Sequence, residues 1–231
     1  MEIVVPLAGP DFEYPDGSTK AEISIDGNPM LVRVLTSRSW WRRGEVSAFN
    51  LTFVLKDSEC SRAFAARSLL HWFPEARLVY LSHATAGAVF SALAGVAVCN
   101  PTKLVCVDLA DILYDEDFEP ERVFSDDAQL GGAIPVFQAD SPIYSYAELG
   151  ADGRVTRTAE KSVISSHASA GTYFFRDASV YSRAVGHIVR NREEQTFRGV
   201  YFVCPLFNGV IADGYDVRTF EVNNVVDVKV K

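Results

Sequence analysis

Alternation limits this chain more than any other feature: short apolar runs take turns with segments of helical spacing through roughly its first half. "EIVVPL" reads as a strand. Asn28 then reads as an N-cap with Pro29 at the first helical position, opening a helix through "MLVRVLTSR". "LTFVLKD" is β-branched and aromatic enough for a buried strand, and "SRAFAARSLLHWF" follows with helical spacing. "ARLVYLS" is a further strand, leading through "HATAG" into the helix "AVFSALAGVAV", whose Ala and Gly content suits close packing on a sheet. "KLVCVDLAD" is the next strand, apolar until Asp108 and Asp111. A β-α-β-α-β-α-β order predicts a mostly parallel sheet with helices on both faces.

The second half reads differently. "GGAIPVFQ", "YSYAELG", "RVTRTAEK" and "AGTYFFRD" are short strands joined by turns such as "GADGR". One helix, "SVYSRAVGHIVRNR", precedes a last strand, "YDVRTFEV". Repeats, low-complexity tracts and linkers are absent from the sequence. A length of 231 residues with 48% hydrophobic content therefore predicts a single α/β domain, residues 1–231. Its second half adds antiparallel strands over the ligand cleft.

Charge and cysteine usage narrow the partners. The net charge is −8, and no run of Lys or Arg exceeds the pair Arg42-Arg43. A nucleic-acid surface needs clustered cations, so no nucleic acid is expected as a partner. Cys60, Cys99, Cys106 and Cys204 are scattered without a C-x-x-C pair, as expected of reduced thiols in a cytoplasm. The N-terminus runs straight into the first strand with no basic region before it, unlike a signal peptide. The apolar window "AGAVFSALAGVAVC" is about 14 residues, short of the roughly 20 that cross a bilayer. A soluble cytoplasmic protein without membrane partners is expected. Oligomeric state stays open, a homo-oligomer included.

In an open α/β sheet, ligands bind beyond the carboxyl ends of the strands. Three polar features fall there: the loop 7–20, the "HATAG" turn, and Asp108 with Asp111. The loop holds Gly9, Gly17 and Lys20, as a phosphate site would, yet it also carries Asp11, Glu13 and Asp16.

The order of these pieces resembles the sugar-phosphate nucleotidyltransferases, nearly end to end. The chain is most similar to short single-domain members found in surface-polysaccharide gene sets. "LAG" followed by "TKAEISIDGNPM" resembles the family's Gly-rich loop, lysine and "(D)GKPM" strand. "SHATAGAVFSAL" resembles its T-x-G-A turn, and "VCVDLADILY" its strand ending in a metal-binding aspartate. The most specific piece is "GGAIPVFQADSPIYSYAELGADGRVTRTAEKSVISSHASAGTYFFRD", with the family's S-Y, D-x-x-G-x-V, E-K and G-x-Y-x-F in order.

The resemblance implies a Rossmann-like fold of the GT-A type, with residues 1–118 as a nucleotide-binding half and 119–231 as an acceptor-binding half. It implies that Leu7, Ala8, Gly9, Lys20, Thr85 and Gly87 bind the nucleotide, Lys20 facing its phosphates. Glu160, Lys161 and Gly171 would bind the acceptor, Glu160 at sugar hydroxyls and Lys161 at the phosphate. Asp111 and Asp227 would hold Mg²⁺, with Asp108 competing for the first position and equally able to cap a turn. Asp227 also reads as a strand-end surface acid. Lys20 and Asp111 are the expected catalytic pair.

The family's loop runs G-x-G-x-R. Here Gly9 is kept, Asp11 stands at the second glycine and Glu13 at the arginine, while Thr19 and Ser162 replace two customary prolines. At about 4 Å and an effective dielectric near 20, two like charges repel by roughly 4 kcal/mol, so Glu13 is expected to oppose a triphosphate. The implied function is a Mg²⁺-dependent nucleotidyltransferase that couples a nucleoside triphosphate to a sugar 1-phosphate or related phosphorylated small molecule, releasing pyrophosphate. The alternative is a catalytically weak relative that binds a nucleotide or sugar phosphate in a regulatory or structural role. A GT-A glycosyltransferase would typically carry D-x-D, and "DLAD" has the wrong spacing.

Overall fold

The computed structural model describes residues 1–228. Its strands are β1 (Glu2–Pro6), β2 (Ser24–Ile25), β3 (Asn28–Pro29), β4 (Leu51–Lys56), β5 (Arg77–Leu81), β6 (Val105–Asp108) and β7 (Ile112–Asp115). They continue with β8 (Leu130–Gln138), β9 (Ser145–Leu149), β10 (Val155–Glu160), β11 (His167–Ser169), β12 (Thr172–Phe175), β13 (Asp216–Glu221) and β14 (Asn223–Asp227). Among the described residues, ten strands form one sheet in the order β10-β9-β11-β8-β12-β6-β1-β4-β5, with β13 also on β8. The stretch β6-β1-β4-β5 is parallel. From β6 outward through β12, β8, β11, β9 and β10 the pairing is antiparallel, while β13 runs parallel to β8. The expected α/β class, with helices on both faces and antiparallel strands added by the second half, is what the chain adopts.

The central strands are apolar throughout because both of their faces are buried. On β1, Ile3 and Val5 point into one core and Val4 into the other. Cys106 on β6 and Phe174 on β12 join the first core, whereas Val105, Val107, Tyr173 and Phe175 join the second. This period of two is the pleat, and both halves of each strand find apolar partners. Helices Met30–Ser37 and Glu59–Phe64 cover the first face with Leu31, Val34 and Phe64. Helices Ala88–Val96, Ala178–Arg190 and Leu206–Ala212 cover the second with Val89, Ala92, Tyr181, Ala184 and Phe207.

Several local expectations are corrected. Asn28 is no N-cap: Asn28 and Pro29 pair with Ser24 and Ile25, and Pro29 itself stands at the N-cap of the helix that starts at Met30. The cause is the turn before them, where Asp26 and Gly27 both take positive φ (51° and 80°), which closes a two-residue hairpin. The segment "SRAFAARSLLHWF" is helical but not uniform, since Ala65–Leu69 forms a π turn between two α segments. The strand "KLVCVDLAD" stops at Asp108. Ala110 then takes a left-handed φ of 53°, and the chain turns into β7, which pairs antiparallel with β14 in a separate small sheet.

Candidate functional site

A cleft of about 1000 Å³ opens at the carboxyl ends of β1, β4 and β6. On one side it is lined by Pro6 to Glu13, Lys20 and Lys56, and by Ala84 to Ala88 with Ser91. Leu109 to Ile112 follow from the turn after β6. The second half supplies Ile143 to Ser145, Glu160, Lys161, Ser169, Gly171, Tyr173 and residues 199, 200, 202 and 203. Leu7, Ala8, Gly9, Lys20, Thr85, Gly87, Asp111, Glu160, Lys161 and Gly171 therefore share one cavity wall or another. Asp108 and Asp227 do not line it.

The acidic loop after β1 has its charges matched locally. Lys20 Nζ donates to Asp11 Oδ2 at 3.1 Å. Asp16 accepts from the Ser18 backbone at 3.0 Å and from its hydroxyl at 2.6 Å. Glu13, expected to repel a triphosphate, turns instead toward the start of the helix Glu59–Phe64. It accepts from Ser58 Oγ, from Ser61 Oγ at 2.8 Å and from Lys56 Nζ at 3.3 Å. Burial alone would raise its pKa, but the bonds from Ser58, Ser61 and Lys56 outweigh that and hold it below the ordinary carboxylate value. Its charge is compensated before any ligand arrives, so a bare repulsion overstates its effect.

The two aspartates after β6 have separate fates. Asp108 is buried with Arg38, each side chain only 1% exposed. Arg38 donates through Nε to Oδ2 at 2.9 Å and through Nη2 to Oδ1 at 3.1 Å, and the Ala110 backbone donates to Oδ1 at 2.8 Å. The guanidinium also lies over the Tyr114 ring, 3.9 Å from its centroid. With both oxygens engaged by a buried cation, Asp108 is withdrawn from the competition for a metal. The left-handed Ala110 swings the chain so that Asp111, three residues on, lines the cleft instead. Gly171 faces it: a Cβ there would stand 3.1 Å from Asp111 Oδ1.

Asp227 ends β14, where its register partner is Ile112, and the next residue's N–H donates to Asp111 O at 3.1 Å. The two acids thus lie on adjoining backbone, one residue out of step. Among the described residues, no group of three or more His, Cys, Asp or Glu side chains could share a metal ion. A hard cation such as Mg²⁺ needs only one or two carboxylates when waters and substrate oxygens complete its shell, and Asp111, on the cleft wall, meets that minimum.

The wall from the second half is built differently. Ser145 Oγ donates to Glu160. Lys161 takes a left-handed φ of 51° and donates its N–H to Tyr144 O at 3.0 Å. Its ammonium lies 5.0 Å from the centroid of Phe202 and 5.3 Å from that of Phe197, within cation–π range of both. Gly87, expected to let a base lie against its turn, has a more immediate constraint. Its φ is 133°, and a Cβ would stand 2.2 Å from Tyr201 O. Tyr201 N–H donates to Ala86 O at 2.9 Å, which fastens the "HATAG" turn to the segment around residues 199–203. Reading the sequence missed Lys56, Tyr144 and Phe202 in this cleft; only the position of Lys56 at the end of a buried strand signalled it.

No family model matches the chain. No curated protein matches it either. Solved structures do. A nucleoside-diphosphate-sugar pyrophosphorylase from Vibrio cholerae RC9 is 19% identical, with 98% of this chain and 95% of that one covered at a TM-score of 0.80. A protein assigned as glucose-1-phosphate thymidylyltransferase from Bacillus anthracis, in complex with a sucrose, is 14% identical. It covers 98% and 89% of the two chains at a TM-score of 0.71. The inositol-1-phosphate CTP transferase from T. maritima is 16% identical, covering 97% and 86% at 0.67. At these identities the likeness shows a shared fold along nearly the whole chain. No helix among the described residues is long and apolar enough to cross a membrane.

Proposed function

We propose that this chain is a nucleotidyltransferase. The phosphate of a sugar 1-phosphate, or of a related phosphorylated small molecule, attacks the α-phosphorus of a nucleoside triphosphate. A new P–O bond forms as the bond to the β-phosphate oxygen breaks, and pyrophosphate leaves. One observation carries this reading: the loop with Gly9 and Lys20, the carboxylate of Asp111, and the Glu160-Lys161 pair all line a single cleft. Its setting, a fold shared with three solved structures named for nucleotide–sugar or nucleotide–inositol chemistry, adds support.

Such a reaction asks for positioning and charge neutralisation more than covalent help. On this reading Gly9 and Lys20 hold the triphosphate, while Glu160 and Lys161 orient the acceptor's hydroxyls and phosphate. The halves 1–118 and 119–231 divide those tasks within one unit, working in the cytoplasm. Asp111 would hold a Mg²⁺ ion, with Asp227 as the second candidate; bound there, the ion would neutralise charge on the phosphates. A screen of the four nucleoside triphosphates against a panel of sugar 1-phosphates and phosphorylated alcohols, reading pyrophosphate, tests the proposal. Release that requires both substrates is expected, and none with any pair would reject it. A binding role without turnover is the second reading, favoured by the Asp11 carboxylate on Lys20. Nucleotide binding with no pyrophosphate release would select it.

A further inference from the structure

The carboxylate of Asp11 bridges the two groups of the loop that the proposed function assigns to phosphate. Its Oδ2 lies 3.1 Å from Lys20 Nζ. Its Oδ1 lies 3.0 Å from the place a Cβ would take on Gly9, so the same carboxylate folds back over the glycine. A carboxylate held on the lysine and lying beside the glycine takes the place a phosphate oxygen would take there. We infer that Asp11 is a resident counter-anion: it occupies the phosphate position on Lys20 and swings away when an anionic ligand binds. This deepens the nucleotidyltransferase reading and rests on it.

Exposure decides which acid of the loop can move. The Asp11 side chain is 73% exposed, against 18% for Lys20. An ion pair with so open a partner holds weakly, because solvent screens it and the freed carboxylate is readily hydrated. Glu13 is a contrast, since its side chain is 20% exposed and it is fixed by Ser58, Ser61 and Lys56. Asp11 therefore acts as a displaceable competitor and Glu13 as part of the frame. Lys20 and Lys56 on this wall are opposed by Asp11 and Glu13, which leaves no net positive charge among the four. The wall attracts free polyanions weakly until Asp11 leaves. Asp11 thereby sets how tightly phosphates are held.

The test is calorimetric binding of inorganic tripolyphosphate and of each nucleoside triphosphate to wild type, Asp11→Asn, Lys20→Ala and the double variant. Asn keeps the shape of the side chain and removes its charge, and at so exposed a position the variant is expected to fold normally. Asp11→Asn should bind tripolyphosphate about two- to five-fold more tightly, the worth of an exposed ion pair. That gain should vanish in the Lys20→Ala background, because it acts through the lysine. Unchanged or weaker binding by Asp11→Asn, or a gain that survives the loss of Lys20, overturns the inference. If tripolyphosphate responds as expected while no nucleoside triphosphate binds any form, the counter-anion role stands and the nucleotide reading falls.

Discussion

Two regions beside the cleft neutralise carboxylates by opposite means. In the turn after β6, Asp108 and Arg38 are closed off from water, joined by two hydrogen bonds, and the guanidinium is stacked on Tyr114. In the loop after β1, Asp11 and Lys20 meet in the open, and the acid is mostly exposed. The buried pair fixes a turn, and its removal would strand a charge in the core. The exposed pair fixes little and can be exchanged for another anion. Position within the sheet, and not residue type, separates an aspartate that builds the site from one that tunes it.

Breaking the buried pair should have the largest consequence. Arg38→Leu leaves Asp108 buried without its partner, and denaturant unfolding should show a loss of about 3–5 kcal/mol. A loss below about 1 kcal/mol would mean that the turn does not depend on that pair. Asp111→Asn sharpens the contrast three residues along. On the proposed reading pyrophosphate release should fall about 100-fold or more, since the carboxylate would hold a metal worth several kcal/mol of charge stabilisation. Its unfolding midpoint should stay near the wild-type value, and Asp227→Asn, outside the cleft lining, should cost less activity than Asp111→Asn.

Glu13 falls between the two extremes. Glu13→Gln exchanges bonds to a charged acceptor for bonds to a neutral one and should cost about 1–2 kcal/mol at neutral pH. Its folded-state pKa is depressed, so this stabilisation is present above the ordinary carboxylate value of 4.5 and is lost as the pH falls through the lower folded value. Thermal melts of wild type and Glu13→Gln should therefore converge on acidification below that value; a gap that persists there would assign the effect to packing. Smallest of all, Asp11→Asn should change stability by less than about 1 kcal/mol, as expected of an exposed pair.

The parallel strands β1, β4 and β6 were legible because both faces of each are buried, and so they read as nearly unbroken apolar runs. β7 and β14 were not, since four or five residues are too few to set a pattern and their partners lie far apart in the chain. The cleft itself was legible from loops at strand ends together with the family-like motifs. Its internal bonding was not. Nothing in "GPDFE" signals that Glu13 reaches Ser58, or in "VLTSRSW" that Arg38 reaches Asp108, because folding sets those contacts over long separations. The Asp16 to Ser18 bonds, two residues apart, are the kind that a turn sequence does announce.

On the proposed reading two phosphorylated substrates meet across this cleft, the nucleotide on the Lys20 side and the acceptor on the Lys161 side. Steady-state kinetics of Lys20→Ala and Lys161→Ala, with each substrate varied in turn, test it most directly. Lys20→Ala should raise the KM for the nucleoside triphosphate, and Lys161→Ala should raise the KM for the acceptor phosphate, each leaving the other substrate's KM near wild type. Equal effects on both substrates, or none on either, would contradict it.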